Sequence, residues 1–373
     1  MHLNIVCVVL LSGQTDTLPA DLAPSFRPPA ELARPSARHR SPLLFDNGTP
    51  VRSPADWIRR KAEIRDYWHG LMGAWPPLLE KPRAEPLDKQ SIDGVEVTRL
   101  RLETAPGRQV EDAYLLRPAS GAGPFPAVVV VYYEAGTGIG KPPQGPDKGA
   151  FRDYALQLAR RGFVTLSLGG DPNTYYPDKA CCRIQPLSFH AYEAANCHAY
   201  LGGLPEVDKK RIGIVGHSYG GKWAMFAACL HEPFACGAWS DPGIVFDEPR
   251  PNVNYWEPWY LGFDPALPQQ RKRGVPDGSN PRTGPYKRLL AEGRDLTDLH
   301  ALMAPRPFLV SGGSEDPPER WGSLGHAIAV NRLLGASDRV GMTNRPEHAP
   351  NARDNETLYR FFEQMLGKGS GKN

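Results

Sequence analysis

The sequence predicts an α/β domain built on a mostly parallel, eight-stranded sheet with helices on both faces. Two observations predict it. Short Val- and Ile-rich runs alternate with helix-length segments along most of the chain, the pattern of successive βαβ units. In the middle, Arg211-Ile-Gly-Ile-Val-Gly-His-Ser-Tyr-Gly-Gly-Lys-Trp-Ala-Met-Phe-Ala-Ala-Cys-Leu230 joins an apolar strand to an apolar helix through a glycine turn. A length of 373 residues with 40% hydrophobic content suits one large core with excursions, so tandem domains are not required.

Taken in order, residues 1–52 read as a possible signal segment followed by a flexible, Pro-rich leader. The apolar run within Met1 to Gly13 is short and lacks a preceding Lys or Arg, so a secretory signal and a plain tail both remain open. A signal would mean export to the periplasm or the outside; otherwise the protein stays in the cytoplasm. A single domain then spans 53–368. It opens with an amphipathic helix carrying Trp57, Ile64, Trp68 and Leu71 on one face, with Ser53 or Asp56 as cap. Gly94–Leu102 and Ala113–Arg117 read as an antiparallel pair. Strand Ala127–Tyr132, helix Ala150–Arg161, strand Phe163–Leu168 and helix Phe189–Leu201 lead to the central strand and helix. Strand Ala235–Ser240, an irregular excursion over 241–298, strand Pro307–Ser311, helix Trp321–Leu334, strand Val340–Thr343 and helix Asn355–Leu366 complete the series.

The chemistry-bearing stretch is Gly216-His217-Ser218-Tyr219-Gly220. Glycines two residues either side of the serine let a strand reverse sharply into a helix and leave the hydroxyl exposed at the helix N-terminus. There the backbone N–H of Tyr219 faces any oxyanion that forms. A serine needs an imidazole to take its proton, and the imidazole needs a carboxylate to hold it. His348, in Asn344-Arg-Pro-Glu-His-Ala-Pro350 after the last strand, is the expected base. Asp316 in Ser311-Gly-Gly-Ser-Glu-Asp-Pro317 is the expected acid, with Asp241 in Ser240-Asp-Pro-Gly243 as the alternative. Either gives the chain order Ser, Asp, His. Glu134 or Ala135, in the Gly-rich loop after Ala127–Tyr132, is the expected second oxyanion donor.

The excursion carries Asn254-Tyr-Trp-Glu-Pro-Trp-Tyr260, too many large rings for a solvated loop. Tyr255, Trp256 and Trp259 are expected to divide between pinning the loop and stacking on the apolar face of a sugar.

These residues resemble the α/β-hydrolase superfamily and, within it, the bacterial carbohydrate esterases of the acetyl xylan esterase and glucuronoyl esterase type. The helix around Trp57, Lys222 four residues after the serine, the aromatic segment and His300-Ala-Leu-Met-Ala-Pro-Arg-Pro-Phe-Leu-Val310 carry the second likeness. The resemblance implies that Lys222 contacts sugar hydroxyls and that the acid follows either of two strands. Glucuronoyl esterases carry Cys-Ser-Arg where this chain has His217-Ser218-Tyr219, which is closer to dienelactone hydrolases and acetyl esterases. The implied activity is a serine esterase acting on an acetylated sugar or polysaccharide ahead of a glucuronoyl ester. A small-molecule esterase and a serine peptidase are the alternatives.

A net charge of +3 from 44 basic and 41 acidic residues gives no reason to expect nucleic acid. No apolar run approaches the ~20 residues of a membrane span. The six cysteines show no Cys-x-x-Cys pair, so no metal site is implied and the chemistry needs no cofactor. Cys181 or Cys182 would be placed to bridge Cys197 in an exported protein.

Overall fold

The computed structural model describes residues 18–145 and 149–367. The stretch expected as a signal lies almost wholly outside them, as does Cys7. One sheet runs through the domain, with nine strands in the order β1-β2-β3-β5-β4-β6-β7-β8-β9. Strands β1 (Ala84–Ile92), β2 (Val95–Ala105) and β3 (Arg108–Arg117) form an antiparallel meander. From β5 (Val164–Gly169) through β4 (Phe125–Tyr132), β6 (Val207–His217), β7 (Cys236–Ser240), β8 (Phe308–Gly312) and β9 (Val340–Asn344) all pairings are parallel.

The ninth strand is β1, which the sequence reading left out. Its sequence, AEPLDKQSI, is polar because it is the sheet edge, and its ladder is irregular between Pro86 and Asp88. Asp93 and Gly94, at φ 49° and 84°, make the tight turn that returns the chain into β2.

The central strand explains why its sequence is continuous Val rather than alternating. Val129 and Val131 enter one apolar core, while Val128 and Val130 enter another on the opposite face. Helices α1 (Pro54–Met72), α3 (Pro186–Gly202), α4 (Tyr219–Leu230), α6 (Thr297–Leu302) and α7 (Trp321–Leu333) supply the first core through residues such as Trp68, Ala194, Trp223, Leu299 and Leu324. Helices α2 (Tyr154–Arg160) and α8 (Ala352–Leu366) close the second with Tyr154, Phe361 and Phe362. Helix α1 starts as expected, with the Ser53 hydroxyl accepting from Asp56 N–H at 3.1 Å.

The leader is not flexible over its described part. Leu22 and Phe26 fill the second core, with Phe26 stacked 6.1 Å from Phe361. Further on, Ser36 N–H donates to Gly322 carbonyl at 2.7 Å, and buried Arg60 of α1 reaches back to Asp46 at 2.9 Å. Proline and alanine content disguised a segment that is pinned by a few widely spaced anchors.

The excursion after β7 contains α5 (Gly284–Ala291) and leads into α6. Among the described residues all five cysteines are free, and Cys197 is buried on α3 while Cys181 is exposed, so the bridge to Cys197 is not made. No helix of the described residues is long and apolar enough to cross a membrane.

Burial holds several imidazoles neutral: those of His198 and His300 fall from 6.5 to about 4, and that of His231 to about 3. Each folded value lies below the unfolded one, so the stability they contribute is complete above pH 6.5 and is lost as the pH falls. Urea unfolding between pH 7 and about pH 4 is expected to show this, with His300 alone responsible for about 3 kcal/mol at the acid end. His300→Gln should flatten the acid limb; an unchanged slope would refute the assignment.

Candidate active site

The parallel strands end together, and the loops beyond their carboxyl ends meet at Ser218. Between β6 and α4 the Ser218 backbone stands at φ 57° and ψ −115°, a strained conformation for a residue with a side chain. Its surroundings leave no alternative. A Cβ on Gly216 would lie 2.2 Å from the Gly220 carbonyl oxygen, and one on Gly220 would lie 2.0 Å from that of Val131. The turn is therefore jammed against the end of β4, and Ser218 N–H donates to Ser240 carbonyl of β7 at 2.8 Å. The hydroxyl is aimed outward by backbone congestion.

His348 occupies the loop between β9 and α8. Its Nε2 is 2.8 Å from Ser218 Oγ, and its Nδ1 is 2.7 Å from Oδ2 of Asp241, which follows β7. The carboxylate that meets the imidazole is thus Asp241 and not Asp316, the acid first expected. Asp241 is fully buried and in the left-handed region at φ 50°. Its Oδ1 accepts from the backbone N–H groups of Gly313 at 2.6 Å and Asp316 at 2.9 Å, in the loop after β8. The Asp316 carboxylate does the converse. It accepts from Gly243 N–H at 2.8 Å and Ile244 N–H at 2.6 Å, in the loop after β7. Each aspartate caps the other's loop, and only Asp241 retains an oxygen directed at His348. Burial, then the neighbouring charge of Asp241, pushes the Asp316 carboxyl above the usual range.

Glu315 lies alongside: one donor atom from each of Asp241, Glu315 and His348 falls within 4.8 Å of the others. Its side chain accepts from Asn252 Nδ2 at 3.1 Å and Ser314 Oγ at 3.0 Å. Both nitrogens of His348 already have protein partners in Ser218 and Asp241, an arrangement suited to moving a proton.

Two further residues support the site, Arg345, which the sequence did not single out, and His217, which adjoins the serine in the motif. Arg345 is buried and donates to the carbonyls of Ser311 at 2.9 Å, His348 at 2.8 Å and Ala349 at 2.7 Å, holding the base's loop to β8. The only trace in sequence is an arginine three residues before the histidine. His217 lies under the site, its ring 4.7 Å from that of His348 and its Nδ1 3.1 Å from Ser240 Oγ. Burial keeps it neutral, far below the ordinary imidazole value.

For an oxyanion, Tyr219 N–H is the first residue of α4 and has no acceptor among the described residues. Of the loop donors expected, Ala135 N–H is already engaged with Asp112 Oδ2 at 2.9 Å, which removes it. Glu134 N–H is left, at the mouth of the 3-10 turn Ala135–Ile139.

The proposed substrate contacts divide. Lys222 is 2% exposed, donates to Asn252 carbonyl at 3.1 Å and lies 5.1 Å and 5.5 Å from the ring centres of Tyr255 and Tyr260. Burial lowers its ammonium to about 8. In this conformation it supports the excursion and does not face solvent. Tyr255 and Trp256 are buried with it, and Trp259 alone of the expected rings is partly exposed. An unexpected ring is Tyr133, which is 45% exposed and stacks 4.2 Å from Tyr219 at 15°.

No family model matches the sequence, and no curated protein matches it. Solved structures do match. A glucuronoyl esterase from Solibacter usitatus is 18% identical, with 90% of this chain and 100% of that one covered at a TM-score of 0.66. A carbohydrate esterase family 15 glucuronoyl esterase from Caldicellulosiruptor kristjansonii is 21% identical, with 87% and 90% covered at 0.58. The glucuronoyl esterase catalytic domain from Hypocrea jecorina is 16% identical, with 91% of each chain covered at 0.58. The fold is that of the α/β-hydrolases.

The congestion at the turn makes a test. Gly220→Ala is expected to cost on the order of 3 kcal/mol or more in urea denaturation, since backbone atoms would have to move. Gly70→Ala, on the exposed side of α1 with nothing within 4 Å of the new methyl, should instead stabilise, by ~0.5–1 kcal/mol. Equal effects would mean that the turn is not tightly packed.

Proposed function

We propose that this protein is a serine carboxylic-ester hydrolase whose substrate is an esterified plant polysaccharide or sugar. The observation that carries the proposal is the unbroken chain from Ser218 Oγ through His348 to Asp241, with contacts of 2.8 Å and 2.7 Å, mounted on a strained strand-to-helix turn. In the mechanism His348 Nε2 takes the Ser218 proton as the oxygen attacks the ester carbonyl. Asp241 holds the imidazole by its Nδ1–H and offsets the imidazolium charge. Tyr219 N–H, with Glu134 N–H closing from the β4 side, receives the oxyanion. His348 then protonates the departing alcohol, and a water molecule deprotonated by the same imidazole releases the acid from Ser218. No step calls for a metal or a cofactor.

Acetyl esters come first in this reading because Tyr219 replaces the arginine that glucuronoyl esterases carry beside the nucleophile, leaving a neutral ring there. Glucuronoyl esters come second, supported by the likeness of this chain to the glucuronoyl esterase structures. Trp259, the one partly exposed ring of the three expected, is the proposed sugar contact. A polymeric substrate would require export, which a signal within residues 1–20 would direct.

Ser218→Ala and His348→Ala should each lower 4-nitrophenyl acetate turnover by about 10⁴-fold or more, with no further loss in the double variant. Asp241→Asn should cost about 10⁴-fold and Asp316→Asn far less. A panel of acetylated xylan, benzyl glucuronate and a peptide amide ranks the substrates, and cleavage of the amide alone would replace esterase with peptidase.

A further inference from the structure

We infer that Arg273 is a specificity-determining residue that draws a negatively charged group of the substrate to the rim of the site. The inference rests on the esterase reading above and deepens it, adding that the preferred ester carries a carboxylate or similar anion away from the scissile bond.

The observations begin with the loop that presents Arg273. Buried Glu257 accepts from Arg271 Nη1 at 3.2 Å through one oxygen and from Gly274 N–H at 2.8 Å through the other. Arg271 Nη2 also donates to Gly274 carbonyl at 2.8 Å. Lys272 is held by Asn280, whose amide accepts from its N–H at 3.0 Å and donates to its carbonyl at 2.9 Å. Every residue around Arg273 is thereby fixed to another part of the excursion. Arg271, two positions away, is buried and neutralised by Glu257. Arg273 is exposed and makes no ion pair among the described residues. Its guanidinium carbon instead lies 5.9 Å from the centre of the Trp259 ring. That contact orients the cation and leaves its N–H groups without an acceptor among the described residues.

The placement relative to Ser218 follows from ring contacts. Trp259 lies 6.2 Å from Tyr260, Tyr260 lies 5.9 Å from Tyr219, and Tyr219 stacks on exposed Tyr133. This row of aromatics starts at the residue next to the nucleophile and ends under Arg273. The charge of Arg273 is felt at the Tyr133 phenol, as is that of Glu134. Glu134 is an acid on the far side of Tyr133, and Gln144 Nε2 donates to it at 3.3 Å. An anion on the substrate therefore finds a cation on the Trp259 side and a carboxylate on the Glu134 side, which sets the sense in which it enters. A planar, permanently charged fork on an aromatic face is suited to a carboxylate, which it can engage through two parallel hydrogen bonds.

The test compares 4-nitrophenyl hexanoate with mono-4-nitrophenyl adipate, two acyl chains of equal length of which one ends in a carboxylate. For wild type, added salt should weaken the adipate reaction through KM and leave the hexanoate reaction nearly unchanged. Arg273→Gln should raise the adipate KM about fivefold to tenfold, with kcat within about twofold and hexanoate hardly affected. Arg273→Glu should go further in the same direction. Equal effects on both esters, or none on either, would overturn the inference while leaving the esterase reading in place. Hydrolysis of 4-nitrophenyl acetate but of neither six-carbon ester would overturn the inference alone, and failure on all three would overturn the esterase reading with it. Melting temperatures of the variants should stay close to wild type, since the side chain is exposed and makes no ion pair among the described residues.

Discussion

The site depends on how two buried aspartates are accommodated side by side. Placing Asp241 and Asp316 together without water would be prohibitive if their oxygens lacked donors. The chain meets this by crossing them: Asp241 gathers N–H groups from the loop after β8, and Asp316 gathers N–H groups from the loop after β7. The two loops are locked to one another, and their parallel strands are already paired through Gly237–Phe308 to Ser240–Ser311. What remains is one oxygen of Asp241, and it faces His348. Arg345 finishes the arrangement from β9 by tying the His348 carbonyl to that of Ser311. His348 is thereby held from all three neighbouring strands, β7, β8 and β9.

Much of this was legible in sequence, and the parts that were not share a cause. The serine turn was legible because its requirement is local: glycines at Gly216 and Gly220 are demanded by atoms only a few residues or one strand away. His348 was legible because a histidine in a polar loop after the last strand has no packing role. The choice between Asp241 and Asp316 was not legible, since both follow adjacent parallel strands and both satisfy the chain order. It is decided by which carboxylate oxygens are taken by distant amides, a property of two loops together. The edge strand β1 and the anchored segment around Leu22 and Phe26 were missed for a related reason. Their sequences are polar or proline-rich on average, and the few residues that dock do so against elements remote in the chain.

The excursion shows how aromatic residues near a site divide their work. Tyr255, Trp256 and Tyr260 are buried and pack with Phe226, Tyr286 and Lys222, so most of the aromatic segment serves to make a long loop rigid. The buried Glu257–Arg271 pair continues that role further along. Such a pair contributes little net stability after its desolvation cost, but with its hydrogen bonds to Gly274 it admits only one loop geometry. Rigidity of this kind holds the remainder, partly exposed Trp259 and exposed Arg273, in a defined position against each other.

Conformational strain and charge are thus placed on different parts of the fold. At the turn, Ser218 is strained and its neighbours are glycines without room for a methyl group, so that substitution there disturbs backbone. The side chain of Tyr219 is different, for it points into a cluster of rings, among them Tyr133, His190, Trp223 and Tyr260. With tyrosine in that position the floor beside Ser218 is apolar and uncharged, built from Tyr219 stacked on Tyr133. An exposed cation, Arg273, then comes from the excursion, across the aromatic row, and not from the turn itself. On a scaffold whose chemistry is set by the ends of its parallel strands, selectivity is free to be written by a loop inserted after one of them.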